Sequence, residues 1–353
     1  MADIIPSVQV KSSRQTRRHA GRRRLLRTFC VRSSLLLAFV FVAQAADPLR
    51  LVHTIRLTGV QGRIDHMAVD VAGHRLFVAA LGNNTLEVVD ISAGKRIHTI
   101  TGLHEPQGIA YVPDRNRIYV ANGEDGRLKV YDGSSYALVG AVDFGSDADN
   151  VRYDAAARQI YVGYGEGSLG IVDEMTGKRT GDIPLSGHPE SFQLEQSSPR
   201  IFVNVPTAGH VAIVDRHGRS VTGKWPLPGN QANFPMALDE AGRTLFVGCR
   251  RPAHVAVFDT GSGKLTTTVP CVGDTDDLFY DAALRRLYVS GGEGFLTVIA
   301  RVDHGGYQPL AKISTATGAR TSLFVPQLKR LYLAVPHRGG QHAEIRVYET
   351  QPE

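Results

Sequence analysis

The chain has 353 residues, with 40 Lys and Arg against 34 Asp and Glu, so its formal charge is +6 at pH 7. Nine of the basic residues and one acidic residue lie in the first 45 positions, which leaves 31 basic and 33 acidic residues in the remainder. This balance argues against the basic groove that nucleic-acid-binding proteins need, so nucleic acid is not an expected partner.

The first 45 residues have the pattern of an export signal. A basic stretch over residues 14–32 precedes an apolar run over residues 35–42, and Ala43-Gln44-Ala45 follows the run. This order is typical of a secretory signal peptide, here with cleavage after Ala45. Residues 22–26 (RRRLL) also resemble a twin-arginine signal, so both export routes stay open. The apolar run is shorter than the ~20 residues of a transmembrane helix. We therefore predict a periplasmic or secreted protein without a membrane anchor after cleavage.

From residue 50 onwards the sequence repeats itself. Each repeat is marked by one aromatic residue inside a short apolar run: Phe77, Tyr119, Tyr161, Phe202, Phe246, Tyr288 and Tyr332. The successive spacings are 42, 42, 41, 44, 42 and 44 residues. A period of ~40–45 residues that contains several short strands is typical of a β-propeller. Residues 46–353 are therefore predicted to form one propeller domain, with the aromatic residues packed between blades.

Each repeat is predicted to contain four short strands. In the second repeat these are expected over residues 108–112, 117–121, 128–131 and 138–142, with turns rich in Pro, Asn, Asp and Gly between them. The seventh repeat lacks its fourth strand, and residues 51–57 (LVHTIRL) offer one from the other end of the chain. We predict an all-β, seven-bladed propeller of four-stranded antiparallel blades. The N-terminal strand closes the ring by pairing into the last blade, which removes exposed sheet edges.

Parts of the repeat resemble the YVTN-repeat β-propeller family. Residues 118–122 (IYVAN) and 128–132 (LKVYD) have the pattern of that repeat, and residues 86–95 (LEVVDISAGK) resemble its turn. The resemblance implies an exported propeller, and similar proteins include binding proteins of unknown ligand. Related seven-bladed propellers include lactone hydrolases and haem or quinone enzymes. Ala300 and Glu349 depart from the pattern, because the other repeats have Asp at these positions.

That Asp recurs once per repeat, at Asp90, Asp132, Asp173, Asp215 and Asp259. A catalytic group is needed once, whereas an Asp before a Gly-containing turn bonds to nearby backbone amides in every repeat. These residues are therefore predicted to stabilise turns.

In a propeller, the loops before each first strand and after each second strand meet around the central channel, where ligands usually bind. Aligning the repeats places Asp65, Gln107, Asp149, Glu190, Phe234, Asp276 and Arg320 at the first-strand starts, and four of these seven are carboxylates. The candidate ligand-binding residues at this face are Asp65, His66, Gln107, Asn122, Asp149, Asn150, Tyr164, His188, Glu190, Arg250, Asp276, Arg320 and His337.

This polar ring permits several chemistries. Oxygen ligands from Asp149, Asn150, Glu190 and Asp276 suit Ca²⁺ or Mg²⁺. Adding His66 and His188 would suit a transition metal instead. The ring would also have a structural role if these groups cap strand ends or contact water and Arg320. The spacing has none of the tight metal motifs.

Hydrolysis is the other chemistry that the ring permits. His66 or Glu190 would act as the general base on water, and Arg320 or Arg250 would stabilise an anion, as in a lactone hydrolase. No G-x-S-x-G motif is present. The sequence also lacks C-x-x-C-H, which excludes covalent c-type haem.

Two cysteines, Cys249 and Cys271, remain once Cys30 leaves with the signal peptide. Both lie in the fifth repeat, and an oxidising compartment permits a disulfide between them. The alternative is a pair of small buried thiols.

The function that we predict is a binding module with a small-molecule ligand or a protein partner at the loop face. This prediction rests on the lack of a recognisable catalytic constellation once the repeat is explained. A lactone hydrolase, with or without a divalent metal, is the alternative. The oligomeric state stays open.

Overall fold

A computed structural model describes residues 47–352 of the chain. The predicted signal peptide lies outside these residues. The sequence predicts no other domain boundary inside the chain. Among residues 47–352 the helical segments are three-residue 3-10 turns. No helix in that range is long and apolar enough to cross a bilayer.

The described chain forms 28 β-strands in seven four-stranded antiparallel sheets. The first strand in the chain is β1 (Leu49–Arg56). Blade 1 contains β2 (Met67–Asp70), β3 (Arg75–Ala80), β4 (Thr85–Asp90) and β5 (Lys95–Ile100). Blade 2 contains β6 (Pro106–Val112), β7 (Arg117–Asn122), β8 (Arg127–Asp132) and β9 (Leu138–Asp143). Blade 3 contains β10 (Ala148–Asp154), β11 (Gln159–Tyr164), β12 (Ser168–Asp173) and β13 (Lys178–Pro184).

The remaining blades continue the same pattern. Blade 4 contains β14 (Phe192–Leu194), β15 (Arg200–Val205), β16 (His210–Asp215) and β17 (Ser220–Pro226). Blade 5 contains β18 (Gln231–Asp239), β19 (Thr244–Arg251), β20 (Ala253–Asp259) and β21 (Leu265–Pro270). Blade 6 contains β22 (Thr275–Asp281), β23 (Arg286–Gly291), β24 (Phe295–Arg301) and β25 (Tyr307–Ser314). Blade 7 contains β26 (Ser322–Val325), β27 (Arg330–Val335), β28 (Glu344–Thr350) and β1.

The last blade confirms the predicted closure. Its strand order is β26, β27, β28 and then β1, so the N-terminal strand is the outer strand of the blade. Leu49 pairs with Thr350 and Arg56 with Glu344, with one irregularity between Leu51 and His53. The first strands of neighbouring blades also contact each other around the whole ring, from β2 to β26 and back to β2. The fold is therefore a seven-bladed β-propeller closed by its N-terminal strand.

The hydrophobic core of the described chain lies between the blades. Seven clusters of buried side chains fill the seven interfaces between neighbouring blades. Each of the seven repeated aromatic residues belongs to a different cluster, and none is more than 3% exposed. The 42-residue period thus arises from one large ring per interface, whose burial is a main favourable term in folding.

The repeated Asp residues stabilise turns as predicted. In blade 2 the Oδ1 atom of Asp132 accepts hydrogen bonds from the backbone N–H groups of Ser134 and Ser135, at 3.0 and 2.9 Å. Asp90, Asp173, Asp215 and Asp259 accept backbone hydrogen bonds in the same way. Backbone donation from Ser135 and Ser134 lowers the pKa of Asp132 to about 2.

The two cysteines are free thiols in the structure, so the disulfide that the sequence permitted is not formed. Cys249 on β19 pairs with His254 on β20, while the Cys271 N–H bonds to the Ala253 carbonyl on the other side of β20. The two residues are thus two strand spacings apart, or about 10 Å. This exceeds the Cα separation of about 4.4–6.8 Å that a disulfide spans. Burial raises the pKa of each thiol to about 12.

Because β1 closes the ring, we expect substitutions at two of its residues to have different effects on stability. Ile55 is 1% exposed and belongs to the cluster between blades 7 and 1, whereas Leu51 is 49% exposed. Ile55→Ala should lower the free energy of unfolding by about 2–5 kcal/mol, because it removes packing from the closing strand. The matched variant Leu51→Ala should change it by less than about 0.5 kcal/mol. Urea unfolding of both variants checks this, and equal losses would contradict the described packing of β1.

Candidate functional site

A cavity of about 240 Å³ lies at the mouth of the central channel. All seven blades contribute to it, through strands or through the loops that precede the first strands. Its lining residues are Arg63, His66, Gln107, Asp147, Asp149, His188, Glu190, Phe234, Arg250, Asp276 and Arg320. We call this cavity the mouth. It contains most residues of the predicted ring. Among the lining residues are all three candidate catalytic residues, His66, Glu190 and Arg320.

Irregular strand pairing at the starts of the first strands directs residues that line the mouth towards the axis of the central channel. The register between first and second strands is interrupted in blades 2, 3, 5 and 6. The interruptions contain Gln107, Asp149, Phe234 and Asp276, and all four line the mouth. Such bulges reorient side chains without ending the strand, and they are common beside functional sites. Gly108 supports one of them, since a Cβ at this position would collide with the Asp149 carbonyl oxygen.

One side of the mouth brings together Asp149, His188 and Glu190. One ligand-type atom from each residue lies within 4.8 Å of the others. The His188 Nδ1 atom donates a hydrogen bond to the Gly165 carbonyl at 2.6 Å, and its Nε2 atom lies 3.8 Å from Asp149 Oδ2. The Asn150 side-chain amide donates to Asp149 Oδ2 at 3.2 Å.

These three groups have perturbed protonation. Burial and the nearby charges of Asp149 and Asp276 raise the pKa of Glu190 to about 8, so its carboxyl group is protonated at neutral pH. Burial disfavours the charged form of His188, but Asp149 and the Gly165 carbonyl outweigh this and raise its pKa to about 9. Burial also acts against the Asp149 carboxylate, yet His188 and His66 keep its pKa below the usual value.

His66 lies between two carboxylates at the inner end of the mouth. Its Nδ1 atom is 3.5 Å from Asp277 and its Nε2 atom is 3.7 Å from Asp65. Burial opposes the charged imidazolium, but Asp277 and Asp65 raise the pKa of His66 to about 10. The ring therefore carries a positive charge at neutral pH and has no free nitrogen to accept a proton from water.

Arginines and carboxylates form ion pairs on the opposite side of the mouth. Arg63 contacts Asp65 at 2.7 Å, and Asp276 contacts both Arg250 at 2.5 Å and Arg320 at 2.9 Å. Arg250 also lies over the Phe234 ring, 3.7 Å from its centroid. These pairs neutralise most of the charge on this side, whereas no arginine forms an ion pair with Asp149 or Glu190 within the described residues.

The channel continues below the mouth as a cavity of about 490 Å³. Aligned first-strand residues line it, namely Ala68, Ala110, Arg152, Gln193, Ala237, Phe279 and Leu323. Arg152 is the charged member of this set. Its guanidinium donates to the Val151 carbonyl at 2.9 Å and to Ser191 Oγ at 3.4 Å, which holds it inside the channel.

Several predicted ligand-binding residues do not line the mouth. Asn122 is fully buried, donates to the Val120 and Arg127 carbonyls and accepts from the His104 N–H, so it caps its own hairpin. Tyr164 bonds to Arg179 and Asp182 instead. His337 is outside the lining, Asp65 lies behind Arg63 and His66, and Asn150 lies behind Asp149.

Sequence reasoning left out Arg63, Asp147 and Arg152. Arg63 and Asp147 precede Asp65 and Asp149 by two residues, which is the same offset that places His188 before Glu190. This two-residue offset could therefore have predicted a second ring of polar residues at the mouth. Arg152 was also detectable, because it is the charged residue at a repeat position that is otherwise small, apolar or amide.

The raised pKa values predict how stability depends on pH. The folded state keeps the His66 proton up to about pH 10, whereas an unfolded histidine loses it near 6.5. Folded protein thus binds more protons in this range, and the free energy of unfolding should fall as pH rises from about 6.5 to 10. His66→Gln should flatten this fall, by up to about 1.4 kcal/mol per pH unit. Urea titrations at several pH values test this, with exposed His217→Gln as control; an unchanged slope in His66→Gln would contradict the pairing.

Comparison with known proteins supports the fold. The chain matches no protein-family model and no curated protein sequence. Among solved structures it is similar to Kuenenia stuttgartiensis hydrazine synthase, with a TM-score of 0.74 and 16% sequence identity, over 85% of this chain and 99% of that chain. Similarity at this level of identity concerns the fold alone. Membership of the YVTN-repeat family stays a prediction.

Proposed function

We propose that this chain is an exported binding module that binds a small, positively charged ligand at the mouth. The observation that carries the proposal is the convergence of polar side chains from all seven blades on one cavity. Export is supported by the signal-peptide pattern of residues 1–45.

The size of the cavity supports a small ligand. Its volume of about 240 Å³ is below the range of about 300–1,000 Å³ found for drug-sized molecules. The wall is also rigid, because its side chains lie on strands and short loops of a closed ring. A small molecule or an ion fits these limits better than an extended peptide.

The charge distribution supports a ligand that donates hydrogen bonds or carries positive charge. Arg63, Arg250 and Arg320 are already engaged by carboxylates. On the other side, Asp149 and the protonated Glu190 face the cavity without an arginine partner among the described residues, and His188 lies 3.8 Å from Asp149. A cation or a hydrogen-bond donor in the mouth can approach the Asp149 carboxylate from the cavity.

The lactone hydrolase alternative gains no support from these contacts. His66 was a candidate general base, but Asp65 and Asp277 favour its protonated form. Arg320 was a candidate for stabilising an anion, but Asp274 and Asp276 occupy it at 3.0 and 2.9 Å. Both residues thus hold the mouth together in this proposal.

Thermal-shift titrations test the proposal with three simple probes: ethylammonium chloride, glycine and sodium acetate. All are used at equal ionic strength and with EDTA. A ligand that binds only the folded state raises the melting temperature as its concentration exceeds the Kd. We expect ethylammonium and glycine to raise it in the wild-type protein, and acetate to leave it unchanged.

Two variants locate the effect. Asp149→Asn keeps the shape of the side chain but removes its charge, so it should abolish the ammonium-dependent shift. Asp132→Asn alters a distant outer turn and should keep the shift. Equal shifts in Asp149→Asn and wild type, or stabilisation by acetate alone, would contradict a cation-binding mouth.

A further inference from the structure

We propose that Asp149, His188 and Glu190 bind one divalent transition-metal ion. This inference rests on the proposed function, because it assigns the positive charge of the ligand to a metal ion. The three ligand atoms lie within 4.8 Å of one another. An ion about 2.1 Å from each atom needs ligand separations of at most about 4.2 Å, so the side chains would close around the ion on binding.

The orientation of His188 is the second, independent observation. Its Nδ1 atom lies 2.6 Å from the Gly165 carbonyl, which can only accept, so Nδ1 carries the hydrogen. This fixes the ring and directs Nε2 towards Asp149, 3.8 Å from Oδ2. That distance is too long for a hydrogen bond, and it suits two ligands of the same ion once the ion displaces the Nε2 proton. Metal-binding histidines commonly donate their other ring N–H to a backbone carbonyl in this way.

Asp149 is held in a comparable manner. The residue is 6% exposed, and the Asn150 amide donates to its Oδ2 atom at 3.2 Å. Asp149 lies in the irregular start of β10, and the Glu190 N–H bonds to the Asn204 carbonyl of β15 at 3.0 Å. The ligands thus come from the neighbouring blades 3 and 4, whose backbone is fixed before any ion binds. Such preorganisation favours a defined coordination geometry.

The donor set favours a transition metal over Ca²⁺ or Mg²⁺. One imidazole nitrogen with two carboxylates suits Zn²⁺ and related ions, whereas Ca²⁺ takes six to eight oxygen ligands. The set of oxygen ligands predicted for Ca²⁺ or Mg²⁺ would need Asp276, but this residue forms ion pairs with Arg250 and Arg320. Asp147 also lines the mouth, 3.6 Å from His188 Nδ1, and adds negative charge near the ion.

Isothermal titration of the EDTA-treated, dialysed chain with ZnCl₂ tests the site, with CaCl₂ and MgCl₂ in parallel. We expect one Zn²⁺ per chain and weaker binding of the other two ions. His188→Gln and Glu190→Gln each remove one of three ligands and should weaken Zn²⁺ binding by more than about 100-fold. Exposed His217→Gln is the matched control and should bind as the wild type does.

Co²⁺ titration reports the coordination of the ion in addition to its affinity. Nitrogen and oxygen coordination in a site of low symmetry gives visible absorption bands, which His188→Gln should lose while its circular dichroism spectrum stays native. Zn²⁺ binding that is equal in the wild type and in His188→Gln would overturn the metal proposal. Loss of binding in His217→Gln would also overturn it, by placing the ion elsewhere.

The two proposals can fail separately. Ammonium-dependent stabilisation that Asp149→Asn abolishes, without any Zn²⁺ binding in the wild type, would leave the binding module standing and reject the metal. Absence of both responses would reject both proposals. Zn²⁺ binding with the expected ligand dependence, but no ammonium response, would support the metal and reject the organic cation as ligand.

Discussion

The structure depends on the pairing of β1 with β28 in the last blade. Each interface between blades is filled by one cluster of buried side chains, and a ring of seven such interfaces has no free end. Without β1, blade 7 would expose the edge of β28, and the cluster that contains Ile55 would lose its outer layer. The mouth depends on the same closure, because its lining residues come from every blade. The pairing between the two ends of the described chain thus completes both the ring and the mouth.

The mouth contains many charged side chains, and most of them are held in place by a charged partner. Each arginine on one side has a carboxylate partner, and His66 lies between two carboxylates. In a low-dielectric channel these pairs fix the side chains and keep the charged form of His66 favourable. Asp149, His188 and Glu190 differ, because they face each other without an arginine among them. The site therefore has one side whose shape is fixed by arginine–carboxylate pairs, and another side where a cation could take the place of the His188 and Glu190 protons.

The spacing of the aromatic residues was sufficient to predict seven blades, because one buried ring per interface imposes the period. The missing fourth strand of the seventh repeat predicted the closure. Strand bounds in blade 2 agree with the prediction within two residues. Asp149, Glu190 and Asp276, which the repeat alignment placed at the first-strand starts, line the mouth. Side-chain direction was not predictable: Asn122 turns into its own hairpin and Tyr164 towards Arg179. The pairing of His66 with Asp277 joins blades 1 and 6, and no spacing within a repeat encodes such a contact.

The closing pair of strands also determines where the chain can be opened. Leu49 lies opposite Thr350, and the Gln351 N–H donates to the Pro48 carbonyl at 2.9 Å, so the two ends of the described chain are neighbours. A short hairpin-like linker could join them. New termini placed in an outer loop, such as residues 302–306 between β24 and β25, would leave every strand with its present partners. The architecture is thus compatible with circular permutation, and the order of blades around the axis is independent of where the polypeptide starts.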